Sequence, residues 1–252
     1  IKNTIKILNH IKSSVNQFYI IILKFNLELL CFYDITYILS NMIELDICSD
    51  TICPWCYIGK KRLDKAIEKH SHINFKQTWR PFQLNPGMAP DGMDRQEYLV
   101  SKFGSADAAK TVYDNIYEEG LKEGIDFNFD SIEVTPNSFN SHRLLALAYE
   151  KNMQIKVLED LFESYFLRGE DIGDPNILLS IAVNNAIDEG ELKSYLSNKD
   201  NIEPLANEEL QARKMGISSV PTFIVDKKIV INGAQTSDNF DLIFQKISNN
   251  IN

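Results

Sequence analysis

The sequence predicts an α/β fold in which a small sheet-and-helix unit is interrupted by a long all-helical insertion. Three observations carry this expectation. A strand, a cysteine motif and a helix follow one another from Ile43, and a second strand completes a β-α-β pattern by Leu84. From Arg95 to about Asn207 the apolar residues recur with helical period, and no strand pattern interrupts them. A helix, two short strands and a last helix then close the chain.

Taken in order, Ile43 to Ser49 reads as a buried strand. The helix that follows runs from about Cys53 to Lys69, with apolar positions at Cys56, Leu63, Ala66 and Ile67. Phe75 to Leu84 is the second strand, ended by Asn85-Pro86-Gly87 and a loop of Pro, Gly and Asp through Asp94. Within the insertion, helices are expected at Gln96–Phe103, Ala106–Lys122, Pro136–Lys151, Ile155–Leu167, Pro175–Ala186 and Glu189–Ser197. Pro136 and Pro175 suit first helical turns, and Gly169, Gly173 and Gly190 mark breaks. A helix from about Pro204 to Met215 precedes strands at Thr222–Val225 and Ile229–Ile231, which flank Asp226-Lys227-Lys228. Asp238 to Ile247 is the last helix. This order is that of a thioredoxin-like unit split by a helical insertion. Residues 42–94 and 208–252 form its two parts, residues 95–207 the insertion, and residues 1–41 an extension outside the fold.

At 252 residues the chain is long enough to bury a full core. Its 44% hydrophobic and 24% charged residues exclude both disorder and a polytopic membrane protein. A net charge of −9 argues against a nucleic-acid surface, which needs clustered Lys and Arg. Residues 1–41 are rich in Ile, Asn, Lys and Tyr and lack a capped helix or turn-delimited strand. The apolar run Phe18–Leu23 is cut by Lys24 with no small-residue cleavage site after it, and Leu29–Tyr33 is too short to span a bilayer. Because Met42 stands immediately before a strand, an over-extended reading frame is the expectation, with an uncleaved anchor or targeting peptide as its rival. With no credible signal peptide, the expected compartment is the cytoplasm.

Cys53-Pro54-Trp55-Cys56 carries the chemistry. A cysteine at the start of a helix sits beside unpaired backbone N–H groups and the positive end of the helix dipole, so its thiolate is favoured. Cys53 is therefore the expected nucleophile, more acidic and more exposed than its partner. Cys56, one turn in, is placed to attack a mixed disulfide at Cys53 and resolve it. Pro54 starts the helix without wasting an N–H, and Trp55 offers apolar surface beside the reacting sulfur. Neither adds positive charge, so Cys53 is expected to be acidified by the helix without reaching the extreme of the strongest oxidants.

Other readings of the same residues stay open. A C-x-x-C is also half of a zinc site, which Cys48 and a histidine would have to complete, but His70, His72 and His142 lack ligand spacing. Cys48 reads as a buried strand residue, with a redox partner role as the alternative. Cys31 lies in the extension. Asp46 and Asp50 precede the motif, and a buried carboxylate near Cys56 would serve as general base during resolution; the plainer reading of Asp46 is a solvated strand-end carboxylate. In Ser218-Ser219-Val220-Pro221-Thr222 a proline stands immediately before a strand, which by pattern alone is a trans edge-strand start.

The chain resembles the FrnE-like branch of the DsbA family, a group related to 2-hydroxychromene-2-carboxylate isomerases and kappa-class glutathione transferases. The resemblance spans about Met42 to Ser248. It rests on the cysteine motif, Pro81-Phe82-Gln83-Leu84-Asn85-Pro86, Asn140-Ser141-His142-Arg143-Leu144, Gly169-Glu170-Asp171-Ile172-Gly173-Asp174, Gly216-Ile217-Ser218-Ser219-Val220-Pro221 and Ile231-Asn232-Gly233-Ala234-Gln235. It implies a thioredoxin fold with a helical insertion and a cis-proline at Pro221 facing the cysteines, with the Val220 backbone free to pair with an extended substrate. His142 and Arg143 match a family motif, but helix capping and salt bridging explain an exposed His-Arg pair equally well. The isomerase branch resembles this chain less at the nucleophile, where it has serine in place of Cys53. The expected activity is thus dithiol–disulfide exchange or isomerisation by Cys53 and Cys56, with Pro221, Val220, Pro54 and Trp55 holding the substrate. The alternatives are a glutathione-dependent isomerase or transferase of small aromatic compounds, and a metal-binding or chaperone-like protein without enzymatic activity. No metal or organic cofactor is expected. Partners are thiol- or disulfide-containing proteins or small molecules, glutathione among them as substrate or reductant, without nucleic acid or stable membrane association.

Overall fold

Residues 42–251 are described in the computed structural model, with side chains as far as Ser248. The expectations for residues 1–41, and Cys31 with them, lie outside the described residues. Strand β1, Met42–Ser49, buries Ile43, Leu45 and Ile47 completely or nearly so while Glu44 and Asp46 stay partly exposed, the period-2 pattern of a pleated strand. Helix α1, Pro54–Lys69, opens on Pro54 in its first turn with Cys53 as extended N-cap. Strand β2, Asn74–Pro81, completes the first part of the sheet.

Strand β3, Met93–Asp94, leads into α2, Arg95–Phe103, whose N-cap Asp94 accepts hydrogen bonds from the N–H groups of Gln96 and Glu97. Gly104 ends α2 in the left-handed conformation, and Ser105 caps α3, Ala106–Lys122. A 3-10 turn at Phe129–Ser131 and strand β4, Val134–Thr135, precede α4, Phe139–Glu150, and α5, Gln154–Phe166. Asp174 caps α6, Pro175–Asn184, and Asp188 caps α7, Glu189–Ser197. Helix α8, Ile202–Lys214, returns the chain to strands β5, Thr222–Val225, and β6, Ile229–Asn232, and α9, Ser237–Ile251, follows.

One four-stranded sheet has the order β2-β1-β5-β6, and residues 43–246 form a single compact unit. β5 runs antiparallel to β1, with Ile47 opposite Phe223 and Cys48 opposite Thr222, and β6 runs antiparallel to β5. Phe223 packs edge-on against Phe240 of α9 at 4.8 Å between ring centres. Tyr57 of α1 stacks on Phe162 of α5 at 4.9 Å and meets Phe127 edge-on, so an aromatic cluster joins the cysteine helix to the helical block. Among the described residues no helix is long and apolar enough to cross a membrane.

Three expectations about elements are corrected. A two-residue ladder, Met93 opposite Thr135 and Asp94 opposite Val134, falls at the start of the helical block and within it; two residues are too few for alternation to show. Pro136 does not open a helix: α4 starts at Phe139, after Asn137 has used its side-chain oxygen on the Phe139 N–H and accepted Gln83 Nε2. β2 ends at Pro81 rather than Leu84, because after the Phe82 N–H has paired with the end of β1 the next two N–H groups are taken by carboxylates outside the sheet. Phe82 donates to the Ser49 carbonyl, Gln83 to Glu209 and Leu84 to Asp50.

Candidate functional site

Cys53 caps α1 with φ −96° and ψ 111°, and its carbonyl accepts the N–H groups of Cys56 and Tyr57. Its own N–H donates to the Asp50 carbonyl at 3.1 Å, which ties the cap to the loop leaving β1. Its thiol faces the Val220 carbonyl, with Sγ 3.8 Å from that oxygen. Cys56 lies one turn in and is completely buried, whereas Cys53 is 4% exposed; the expected difference in exposure is small, and both thiols are nearly enclosed. Burial pushes the Cys56 thiol well above its ordinary range, the Cys53 sulfur beside it adds to that, and the Ser49 hydroxyl and Asp50 N–H pull weakly the other way. The two sulfurs are not bonded to each other. Pro54 is buried and Trp55 half-buried.

The Val220–Pro221 peptide bond is cis. Pro221 is buried, and its carbonyl accepts the Gly233 N–H at 2.8 Å. Thr222 anchors the turn from inside, its hydroxyl donating to the Ser219 carbonyl at 2.8 Å. Helix α1 approaches this turn closely at Gly59, where a Cβ would stand 3.0 Å from Pro221 Cγ and 3.2 Å from Phe223 Cζ. The structure thus brings Cys53, Cys56, Val220 and Pro221 together, from the two ends of the sheet unit.

Cys48 lies in an apolar cluster with Phe82, Ala212 and Ile217, against which Val220 and Ile224 pack. Burial pushes its thiol up to about 11. Asp46 is turned away from Cys53 and Cys56: it pairs with Arg80 at 2.7 Å on the strand face opposite Ile47 and Ser49, so the general-base expectation fails there by strand alternation. Asp50 is completely buried. Its carboxylate accepts the Leu84 N–H at 2.6 Å and, less closely, the Ile52 N–H, and lies 3.3 Å from His142 Nε2.

His142 and Arg143 are buried rather than exposed. Arg143 holds the end of α7, donating to the carbonyls of Tyr195 and Asn198 and to the Asn201 side chain. His142 instead reaches the cysteine loop, and sequence reasoning missed that role; the quoted Asn140–Leu144 motif was its only signal. Among the described residues no group of three or more His, Cys, Asp and Glu side chains is placed to hold a metal ion.

Comparison with known proteins follows the same outline. Over 201 residues the chain is 24% identical to the uncharacterized protein YwbO of Bacillus subtilis (strain 168), covering 79% of this chain and 94% of that protein. The crystal structure of the probable DsbA oxidoreductase SCO1869 from Streptomyces coelicolor superposes with a TM-score of 0.75 at 27% identity, covering 81% of this chain and 89% of the other. The cytosolic disulfide reductase DsbM from Pseudomonas aeruginosa, solved with GSH, shares the fold at a TM-score of 0.60 and 14% identity, covering 82% and 99%. The sequence model of the DSBA-like thioredoxin domain matches residues 44–245, and the chain belongs to that family.

Proposed function

We propose that the chain is a thiol–disulfide oxidoreductase that works through the Cys53–Cys56 dithiol. Membership of the DSBA-like family supports disulfide chemistry in general. The observation that carries the specific reading is the pairing of two thiols in unequal settings: Cys53 at the helix cap facing the Val220 carbonyl, Cys56 enclosed one turn behind it. In the reducing direction Cys53 thiolate attacks one sulfur of a substrate disulfide, that S–S bond breaks, and the released thiolate takes a proton. Cys56 then gives up its proton and attacks Cys53 Sγ; the mixed disulfide breaks and the second substrate thiol leaves. Two electrons pass from the dithiol to the substrate, and oxidation is the same sequence reversed.

Val220 and Pro221 are proposed to hold the substrate backbone beside Cys53, as a short strand addition, with Pro54 and Trp55 forming the apolar rim. The reading needs no metal or organic cofactor. Thiol- or disulfide-bearing proteins and small thiols are the proposed partners, with glutathione the thiol against which the couple is measured. A reducing compartment such as the cytoplasm belongs to the same reading.

The test is exchange of a model protein disulfide by the wild-type chain, Cys53→Ser and Cys56→Ala. Cys53→Ser should be inactive, and Cys56→Ala should accumulate a mixed disulfide through Cys53. Full turnover in Cys56→Ala would replace the dithiol reading with that of a glutathione-dependent isomerase or transferase.

A further inference from the structure

The loop from Asp50 to Cys53 joins β1 to α1 and carries the nucleophile, and two of its side chains meet the helical block. Thr51 Oγ1 lies 2.7 Å from Ser141 Oγ, and Asp50 Oδ1 lies 3.3 Å from His142 Nε2. Consecutive residues of the loop thus meet consecutive residues at the start of α4. Asp50 is the hub of the loop: its carbonyl accepts the Cys53 N–H, and its carboxylate accepts those of Leu84 and Ile52.

No Lys or Arg forms an ion pair with Asp50 among the described residues; His142 is the basic group beside it. The two side chains are 0% and 2% exposed, so water does not compensate an ionised carboxylate there. His142 Nε2 is buried and has no aligned hydrogen-bond partner, leaving the Asp50 carboxylate as the acidic group within its reach. The His142 side chain also lines a cavity of about 270 Å³ between β2 and α4, with Arg80, Glu150 and Glu208 around it.

We propose that His142 is a positioning residue: by holding the Asp50 carboxylate it fixes the loop that carries Cys53 and offsets a negative charge that would otherwise disfavour the reduced dithiol. This rests on the dithiol reading above. With the ring nitrogen removed, the carboxylate loses its basic partner in the loop that leads into Cys53. Formation of a thiolate nearby becomes less favourable, and the equilibrium moves toward the Cys53–Cys56 disulfide.

The experiment measures the equilibrium in which two glutathione molecules reduce the Cys53–Cys56 disulfide to the dithiol and form one glutathione disulfide. His142→Phe and His142→Leu, apolar replacements of different shape, should each shift it about tenfold toward the protein disulfide, equivalent to about 30 mV. His142→Gln, which keeps a donor, should restore the couple to within about threefold of wild type. In an Asp50→Asn background His142→Phe should add no more than about twofold, because the two act as one unit. A residue that only supports the fold would lower the thermal midpoint without moving this equilibrium. An unshifted couple in a folded His142→Phe or His142→Leu protein, or a full shift that survives Asp50→Asn, overturns the proposal alone. A wild-type chain that forms no disulfide couple with glutathione overturns the dithiol reading, and the proposal with it.

Discussion

Gly59 offers a way to move the proline turn without touching a cysteine. It lies inside α1, and a Cβ there would meet Pro221 Cγ at 3.0 Å, Phe223 Cζ at 3.2 Å and Ala234 Cβ at 3.5 Å. Gly59→Ala has two opposing consequences. Replacing glycine in a helix interior stabilises it by about 1 kcal/mol. Against this, two neighbours must yield by a few tenths of an ångström. Phe223 is 0% exposed and wedged against Phe240, so the Pro221 ring is the partner that gives way. The two contributions nearly cancel in stability, and the thermal midpoint should stay within about 4 °C of wild type. Displacement of Pro221 carries the adjoining Val220 carbonyl away from Cys53 Sγ, now 3.8 Å off, and the exchange rate should fall severalfold. Gly59→Val adds two methyl groups to the same contact. Overpacking of about 1–3 kcal/mol should then lower the midpoint as well, by about 2–12 °C for a chain of this size. The assay pairs thermal unfolding with the rate at which the reduced protein cleaves a substrate disulfide. Wild-type exchange in Gly59→Ala, or a loss no larger than its unfolded fraction explains, would refute the argument that the helix sets the position of the turn.

The described thiols should react with iodoacetamide in a fixed order, Cys53 well ahead of Cys48 and Cys56. With Cys48 pushed up to about 11, only about one in a thousand of its thiols is ionised at pH 8, and Cys56 is both raised and enclosed; early modification of either, mapped by mass spectrometry, would reverse the assigned roles. Glu159 joins Lys60, Lys61 and the Tyr57 hydroxyl, and Glu159→Gln should cost about 2 kcal/mol in urea unfolding, since Lys60 keeps Asp64 as a partner. Burial pushes the Glu159 carboxyl up, but Lys60 and Lys61 outweigh it and hold it below the ordinary range. Its contribution is therefore present above about pH 4.3 and lost as pH falls through the lowered value, so the gap between wild type and Glu159→Gln should close in acid; a gap unchanged down to pH 2 would contradict this. Gln154 takes both the N–H and the carbonyl of Trp79 on β2, at 2.9 and 3.0 Å, and Gln154→Ala should destabilise by about 1–3 kcal/mol; a loss under about 0.5 kcal/mol would show that water replaces it.

What the amino-acid sequence determined by itself was local. Alternation along Ile43–Ile47, Pro54 in the first turn after Cys53 and Pro175 in the first turn of α6 each involve groups a few residues apart, so elements and the cysteine spacing were legible. The two-residue strands β3 and β4 escaped because a ladder so short has no period. The start of α4 was misplaced because Pro136 satisfies a local rule that Asn137 overrides through partners distant in the chain. Tertiary structure alone decided which buried groups meet. Asp46 and Asp50 look alike in sequence, yet strand alternation turns one to Arg80 while the loop buries the other beside His142. Thr51 and Ser141 stand 90 residues apart and touch through the same junction. Side-chain hydrogen bonds and ion pairs of this kind depend on a few tenths of an ångström in the packing of distant elements, and no local propensity encodes that distance.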